Sequence, residues 1–302
     1  MLLAYIYFAV STTLVHLLNV NKLRYQRDNK LSMSDQYWDW HSLEFRHYCL
    51  LQQRRMDDAW KLDEHLESIV NGDDDLSDSF HVRQRLFFAR YSREKNQRHE
   101  KLEGKNTRLT SLACRWIIET RQWQLDWDYT TPIKCEVCLD ACRPCVMDLF
   151  DGQTEWVYQA NAAAQLAAGL SAVHLNQPDI ARECEKTIYR YSTETVTVPS
   201  LSATLNMMAT ELRGVRLYVA GRREEGLGAA HAAMLLEAEW NPPPYGPPYP
   251  MLPPSESYGY LLLEEGTSEA AKLAVNAFEF SLEGNRMRYW SEVGLKQAHA
   301  SL

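Results

Sequence analysis

The sequence predicts an all-α protein built from stacked antiparallel helix hairpins, on three observations. The first is an internal repeat: Gly169, Gly214 and Gly259 stand 45 residues apart, and seven positions after each comes a residue suited to ending a helix, Asn176, Gly221 and Gly266. Five residues further on lie Ala181, Gly226 and Ala271, small side chains where the two helices of one hairpin approach most closely. The second is apolar spacing at helical period on both sides of these turns, in QLAAGLSAVHLNQPDIA, ELRGVRLYVAGRREEG and ESYGYLLLEEGTSEAA. The third is a shortage of strand signals, since the one alternating β-branched run, STETVTVPS at 192–200, reads more simply as a junction before a helix starting near Pro199.

The chain opens with a hydrophobic segment, 1–22. MLLAYIYFAVSTTLVHLLNVN contains no Asp, Glu, Lys or Arg, and NKLRYQR then brings three basic residues at once. That length suffices for a membrane span, with the basic flank and all that follows on the cytoplasmic side. A packed helix covering the first hairpin is an equal reading, because Ser11, Thr12, Thr13, His16 and Asn19 dilute the apolar run. The chain is therefore expected to be cytoplasmic, or membrane-anchored with its helical domain facing the cytoplasm. The helical domain spans 36–300. Its first hairpin lies in HSLEFRHYCLLQQRRMDDAWKLDEHLESIV, where Leu43, Phe45, Leu50 and Leu51 form one stripe and Met56, Ala59, Trp60, Leu62 and Leu66 a second. Arg54 holds the turn position where Gly would be usual.

Connectors follow. The acidic stretch at 71–80, opening NGDDDLSD, and the nearly apolar-free stretch at 92–107 read as solvated links. RQRLFFAR (83–90) and TRLTSLACRWIIE (107–119) are short helices, the latter with Leu109, Leu112, Trp116 and Ile117 on its buried stripe. A Cys-rich junction at 131–146 carries Cys135, Cys138, Cys142 and Cys145. Their C-x2-C-x3-C-x2-C spacing resembles a zinc framework compressed at its centre, but it equally places four thiols on one helix face as small apolar residues. Pro144 opposes a single uninterrupted helix there. Core thiols, a zinc site and redox chemistry all stay open for this cluster, whereas Cys49, Cys114 and Cys184 fall on helix stripes.

After the repeats at 163–238 comes a Pro-rich junction, 239–257, with eight prolines in EWNPPPYGPPYPMLPPSES. It reads as a rigid bridge between repeat helices or as a polyproline partner motif. The last hairpin is followed by EGNRMRYWSEVGLKQAHA, a plausible end cap with Arg286, Arg288, Glu292 and Lys296 for solvent and Tyr289, Trp290, Val293 and Leu295 for packing.

The repeated pattern of apolar residue, Gly, two residues, apolar or aromatic residue, a Gly or polar stop, an acidic residue and Ala resembles the tetratricopeptide repeat. The resemblance covers most of 36–296 and is strongest at 41–70 and 163–282. YWDWHSLEFRHYCLLQQRRMDDA, the Pro-rich junction and AFEFSLEGNRMRYWSEVGL make it similar to long-repeat members, for the usual unit is about 34 residues and each unit here is about 11 longer, roughly three helical turns. The resemblance implies a right-handed α-α superhelix whose first helices line a concave groove. Carried over residue by residue, it implies a partner-binding groove formed by His41, Glu44, Tyr48 and Leu51, by Leu166, Leu170 and Val173, by Glu211, Val215 and Tyr218, and by Glu256, Tyr260 and Leu263. His47 replaces the signature Gly in the first set. A groove mixing carboxylates with aromatics fits a protein or peptide partner with basic and apolar residues.

Composition sets the remaining limits. The 302 residues are 45% apolar and 24% charged, which suits a soluble helical protein with an extended core. A net charge of −8 argues against nucleic acid as a partner. The chain has no phosphate-binding Gly loop, no H-E-x-x-H and no G-x-S-x-G, so no cofactor and no catalysis are expected. Two alternatives compete with a non-catalytic scaffold. One is a zinc- or redox-responsive module at residues 135–145. The other is an enzyme of unrecognised class near His41, in WDWHS, where the tryptophans also read as a staple for the helix start and His41 as a partly buried structural group. The sequence leaves the oligomeric state open.

Overall fold

The computed structural model describes residues 50, 55, 57, 58, 61, 114, 117–119, 121–125, 129–130, 151–240, 251–284 and 288–302, with side chains in the first long helix from residue 158 onward. The chain divides into two compact units, 1–93 with 244–247, and 94–243 with 248–302. In the first unit, Leu50 is helical and buried, and the Arg55 N–H donates to the Leu50 carbonyl at 2.9 Å. This bond reaches five residues back along the chain. Asp58 accepts from Arg55 Nε at 2.8 Å on the exposed side of that turn.

Seven helices of the second unit have described bounds, α1 (Asp151–His174), α2 (Pro178–Glu194), α3 (Pro199–Val219), α4 (Arg223–Glu239), α5 (Pro254–Glu264), α6 (Ser268–Gly284) and α7 (Tyr289–Ala300); residues 114 and 117–119 are helical as well, and no strand occurs among the described residues. Proline begins α2, α3 and α5, where its fixed φ suits the helix and its missing N–H would have had no partner. The ends of α1, α3 and α5 are set by the three positions expected from the repeat. Asn176 has φ 57°, Gly221 83° and Gly266 66°, all left-handed. After α1, Gln177 N–H bonds the Ala172 carbonyl at 2.7 Å and Asn176 N–H that of Val173 at 3.2 Å. After α3, Arg222 bonds Leu217 and Gly221 bonds Tyr218, both at 3.0 Å. These paired bonds are the Schellman closure, which satisfies carbonyls that a helix end would otherwise orphan.

Helices adjacent in sequence pack as antiparallel pairs, and α1, α3, α5 and α7 also touch one another in series. The small residues make this possible. A Cβ on Gly226 would lie 2.5 Å from the Tyr218 backbone nitrogen, and one on Gly214 would lie 2.7 Å from that of Ala230, so α3 and α4 meet backbone to backbone. Ala181 and Ala271 are buried at the matching places in the flanking hairpins. Phe278, fully buried on α6, fills the space left by Gly259 on α5 and Gly294 on α7. Together with Leu262, Ala270, Ala274 and Ala298 it forms the core of the last hairpin and its closing helix.

The STETVTVPS stretch resolves as expected, into the end of α2, a turn, and α3 from Pro199. Cys114, Ile117 and Cys184 are buried, as their stripes require. The C-terminal cap departs from expectation at one residue: Arg288, assigned to solvent, is only 2% exposed because two carboxylates hold it inside. Glu292 and Lys296 do face solvent. Among the described residues no helix is long and apolar enough to cross a membrane. Residues 1–22, Arg54, Cys49, the connectors at 71–80 and 92–107, and most of the Pro-rich junction lie outside the described residues.

Candidate functional site

The residues expected to line a groove lie in three different settings. His41, Glu44, Tyr48 and Leu51 are outside the described residues, as are Cys135, Cys138, Cys142 and Cys145. Leu166, Leu170 and Val173 on α1, and Glu211, Val215 and Tyr218 on α3, are buried. Glu256 is buried too, while Tyr260 and Leu263 are half-buried against the Phe278 core. The α3 set faces the next repeat: Ser257 Oγ donates to Glu211 Oε1 at 2.5 Å, and Tyr218 donates its phenolic proton to Glu265 Oε1 at 2.7 Å. The accessible stripe of α3 is instead Ala203, Asn206, Thr210 and Arg213, at helical spacing on another face.

Around Glu256 the structure builds a polar cluster that the sequence did not signal. The start of α5 is buried, and its Ser255 N–H is capped at 2.8 Å by Glu237 Oε2 at the end of α4. One turn position away, Glu256 receives Arg288 Nε at 2.6 Å, Arg288 Nη2 at 3.1 Å and the Ser291 hydroxyl at 2.7 Å. Arg288 Nη1 also reaches Glu119 Oε1 at 2.8 Å, and Ser291 shares a 2.8 Å contact with Ser281. Residues from α3, α4, α5, α6, α7 and the segment at 119–121 thus meet in one place.

Charge in this cluster is unequal. Four carboxylates (Glu119, Glu211, Glu237, Glu256) meet two guanidinium groups, those of Arg288 and Arg121, the latter 4.0 Å from Glu256 Oε1. Burial drives the Glu211 carboxyl well above the usual range, outweighing the Ser257 hydrogen bond, and the neighbouring Glu237 and Glu256 push it the same way. Burial also raises Glu237, against the lowering effect of the Ser255 amide. Burial thus favours the protonated form of Glu211. Its Oε2 and the Ser255 hydroxyl oxygen have no hydrogen-bond partner.

Beside the cluster, Arg121 lies over two rings, its guanidinium carbon 4.3 Å from the Tyr260 centroid and 3.9 Å from that of Trp290. The rings also have anchors other than its guanidinium. Tyr260 donates to the Trp290 carbonyl at 2.7 Å, Trp290 Nε1 donates to the Glu119 carbonyl at 2.8 Å, and Tyr260 meets Phe278 edge-on at 5.1 Å. A few residues on, Trp123 stacks on His174 at 4.4 Å, and burial followed by the Arg121 charge lowers that imidazole's affinity for a proton.

The remaining chemistry is sparse. Burial pushes the Cys184 thiol up to about 12 and raises Cys114 as well, which keeps both from forming thiolates at neutral pH. Among the described residues no group of His, Cys, Asp and Glu is placed to hold a metal ion. Glu256 and Tyr260 were named from the repeat register, but as groove residues. Arg121, Glu119 and Arg288 were not, because their partners lie far off in sequence, Glu119 and Arg288 being 169 positions apart. Trp290 was expected only to pack. In comparisons with family models, curated proteins and solved structures, nothing matches this chain.

Proposed function

We propose that the chain is a non-catalytic interaction scaffold, a right-handed superhelix of tetratricopeptide type that binds a protein or peptide segment along the layer formed by α1, α3, α5 and α7. The observation that carries this reading is the recurrence, at a 45-residue step, of one hairpin with one closing turn, its first helices stacked on one another. Units of this kind bury their faces on neighbours and leave an extended surface free. Acidic net charge and the half-buried Tyr260 and Leu263 favour a partner with basic and apolar residues. Contact on α3 runs through Asn206, Thr210 and Arg213 and not through the covered Glu211, Val215 and Tyr218.

A photo-crosslinking residue tests this at two places, Thr210 on α3 and Leu235, an exposed position on α4. The expected result is one partner captured from Thr210 and not from Leu235, whose purified form binds more weakly as salt rises. Equal capture from both helices, or binding indifferent to salt, would refute the proposed surface.

A further inference from the structure

The geometry points to a guanidinium-binding site formed by Tyr260, Trp290 and Glu256, which Arg121 occupies from within the chain and which an arginine side chain of a partner protein takes in its place. The walls have anchors besides the occupant's guanidinium, although the carbonyl that holds Trp290 belongs to Glu119, two positions before Arg121. Tyr260 is anchored to the Trp290 carbonyl, Trp290 is anchored to the Glu119 carbonyl, and Phe278 braces Tyr260 from behind. Such a site exists before any ligand arrives, so little ordering is needed on binding.

Arg121 itself is held far less firmly. Its backbone sits at φ 55°, a conformation that side-chain-bearing residues rarely adopt, and its side chain is 32% exposed. The carboxylate beneath it is already committed, since Glu256 Oε2 takes Arg288 Nε and Ser291 Oγ while Oε1 takes Arg288 Nη2. At 4.0 Å, Arg121 is a secondary partner of Glu256, and its guanidinium lies over the two ring faces. A fixed site, an accessible occupant and a strained tether are what exchange requires. Two ring faces against one guanidinium favour a flat, delocalised cation, so arginine is favoured over the compact, strongly hydrated ammonium of lysine.

The source of that arginine rests on the scaffold reading above, but the site can be tested without it. Arg121→Gly in the full chain empties the site, and glycine accepts the left-handed backbone at no cost. The probes are N-acetyl-arginine amide and N-acetyl-lysine amide, titrated by calorimetry. The expected result is saturable arginine binding to Arg121→Gly at least tenfold tighter than to the native chain, at least tenfold weaker for lysine, and lost when Trp290→Leu is added. A rise in the melting temperature of Arg121→Gly with arginine amide, and not with lysine amide, reads the same event in a variant that has become less stable. No arginine binding by Arg121→Gly, equal affinity for the native chain, equal binding of lysine, or binding that survives Trp290→Leu would each overturn the proposal. Arginine binding with no partner captured at Thr210 keeps this site and discards the scaffold; the reverse result discards this site alone.

Discussion

Arg288→Met tests the polar cluster most directly. Arg288 is 2% exposed and bonds Glu256 at 2.6 and 3.1 Å and Glu119 at 2.8 Å, so methionine replaces its stem while deleting all three bonds. Glu256, itself 1% exposed, is left with the Ser291 hydroxyl and with Arg121 at 4.0 Å. Removing one partner of a buried ion pair costs about 3–5 kcal/mol, mostly because the remaining charge stays desolvated. Domains of ordinary stability hold about 5–15 kcal/mol in total, so the loss is a large fraction of it. Urea unfolding followed by far-UV circular dichroism should show the midpoint falling by more than about 1 M. Adding Glu256→Gln neutralises the stranded charge yet keeps an acceptor for Ser291, and should return about 2 kcal/mol or more. A loss below about 1 kcal/mol for Arg288→Met, or a double variant no more stable than the single one, would show that Glu256 is hydrated in the folded chain and the argument fails.

Two further outcomes follow from the same packing and charge. Gly226→Ala places a Cβ 2.5 Å from the Tyr218 nitrogen and should cost about 1–3 kcal/mol in chemical denaturation. Gly228→Ala, two positions on in the same helix with nothing within 4 Å, should gain up to about 1 kcal/mol, and equal effects from both would contradict the backbone contact. Glu211 keeps a proton in the folded state that the unfolded chain releases near its ordinary value of 4.5, so stability should fall as pH rises from there through the raised folded value, a slope that Glu237 shares. Urea midpoints between about pH 5 and pH 8 should decline less steeply in Glu211→Gln than in the native chain, and unchanged slopes would mean Glu211 is ionised; below 6.5 the lowered His174 acts in the opposite sense, removing stability as pH falls.

What the sequence revealed and what it hid have separate physical causes. Asn176, Gly221 and Gly266 were legible because a left-handed backbone restricts residue choice locally, and Gly226 because two backbones in contact leave no room for a side chain. The start of α3 was legible for the same reason, proline being tolerated at the first turn of a helix. Glu211 and Glu256 were placed on the right helices and expected on an accessible groove, yet both are covered. Helical spacing tells which residues share a face, and only the placement of the next hairpin tells whether that face is open. Ser257 closes over Glu211 from 46 residues away, and Arg288 closes over Glu256 from 32. Neither contact leaves a periodic trace. Carboxylate, arginine and serine are ordinary surface residues in composition, so a buried cluster of them is invisible until the chain is folded.

The covered carboxylates also answer a problem that the apolar part of the array cannot. Along α1 the stretch from Asn161 to Ala168 is mainly alanine, and the contacts of Ala181, Gly226, Ala230 and Ala271 are small and smooth. Such surfaces bury area without much preference for one register over a neighbouring one, because dispersion and hydrophobic burial are non-directional. Hydrogen bonds are directional, and a buried polar group that loses its partner is costly, so a slipped register would be penalised at every bond in the cluster. Between α3–α4 and the hairpin that follows, three such bonds are spread along the contact: Glu237 at the first turn of α5, Glu211 on Ser257, and Tyr218 on Glu265 just beyond its last turn. Satisfying all three at once leaves one alignment. The energetic expense of burying Glu211 with one oxygen unpartnered is thus local, whereas its effect is to fix how one repeat sits on the next, and with it the position of Tyr260 and the ring pair around Arg121.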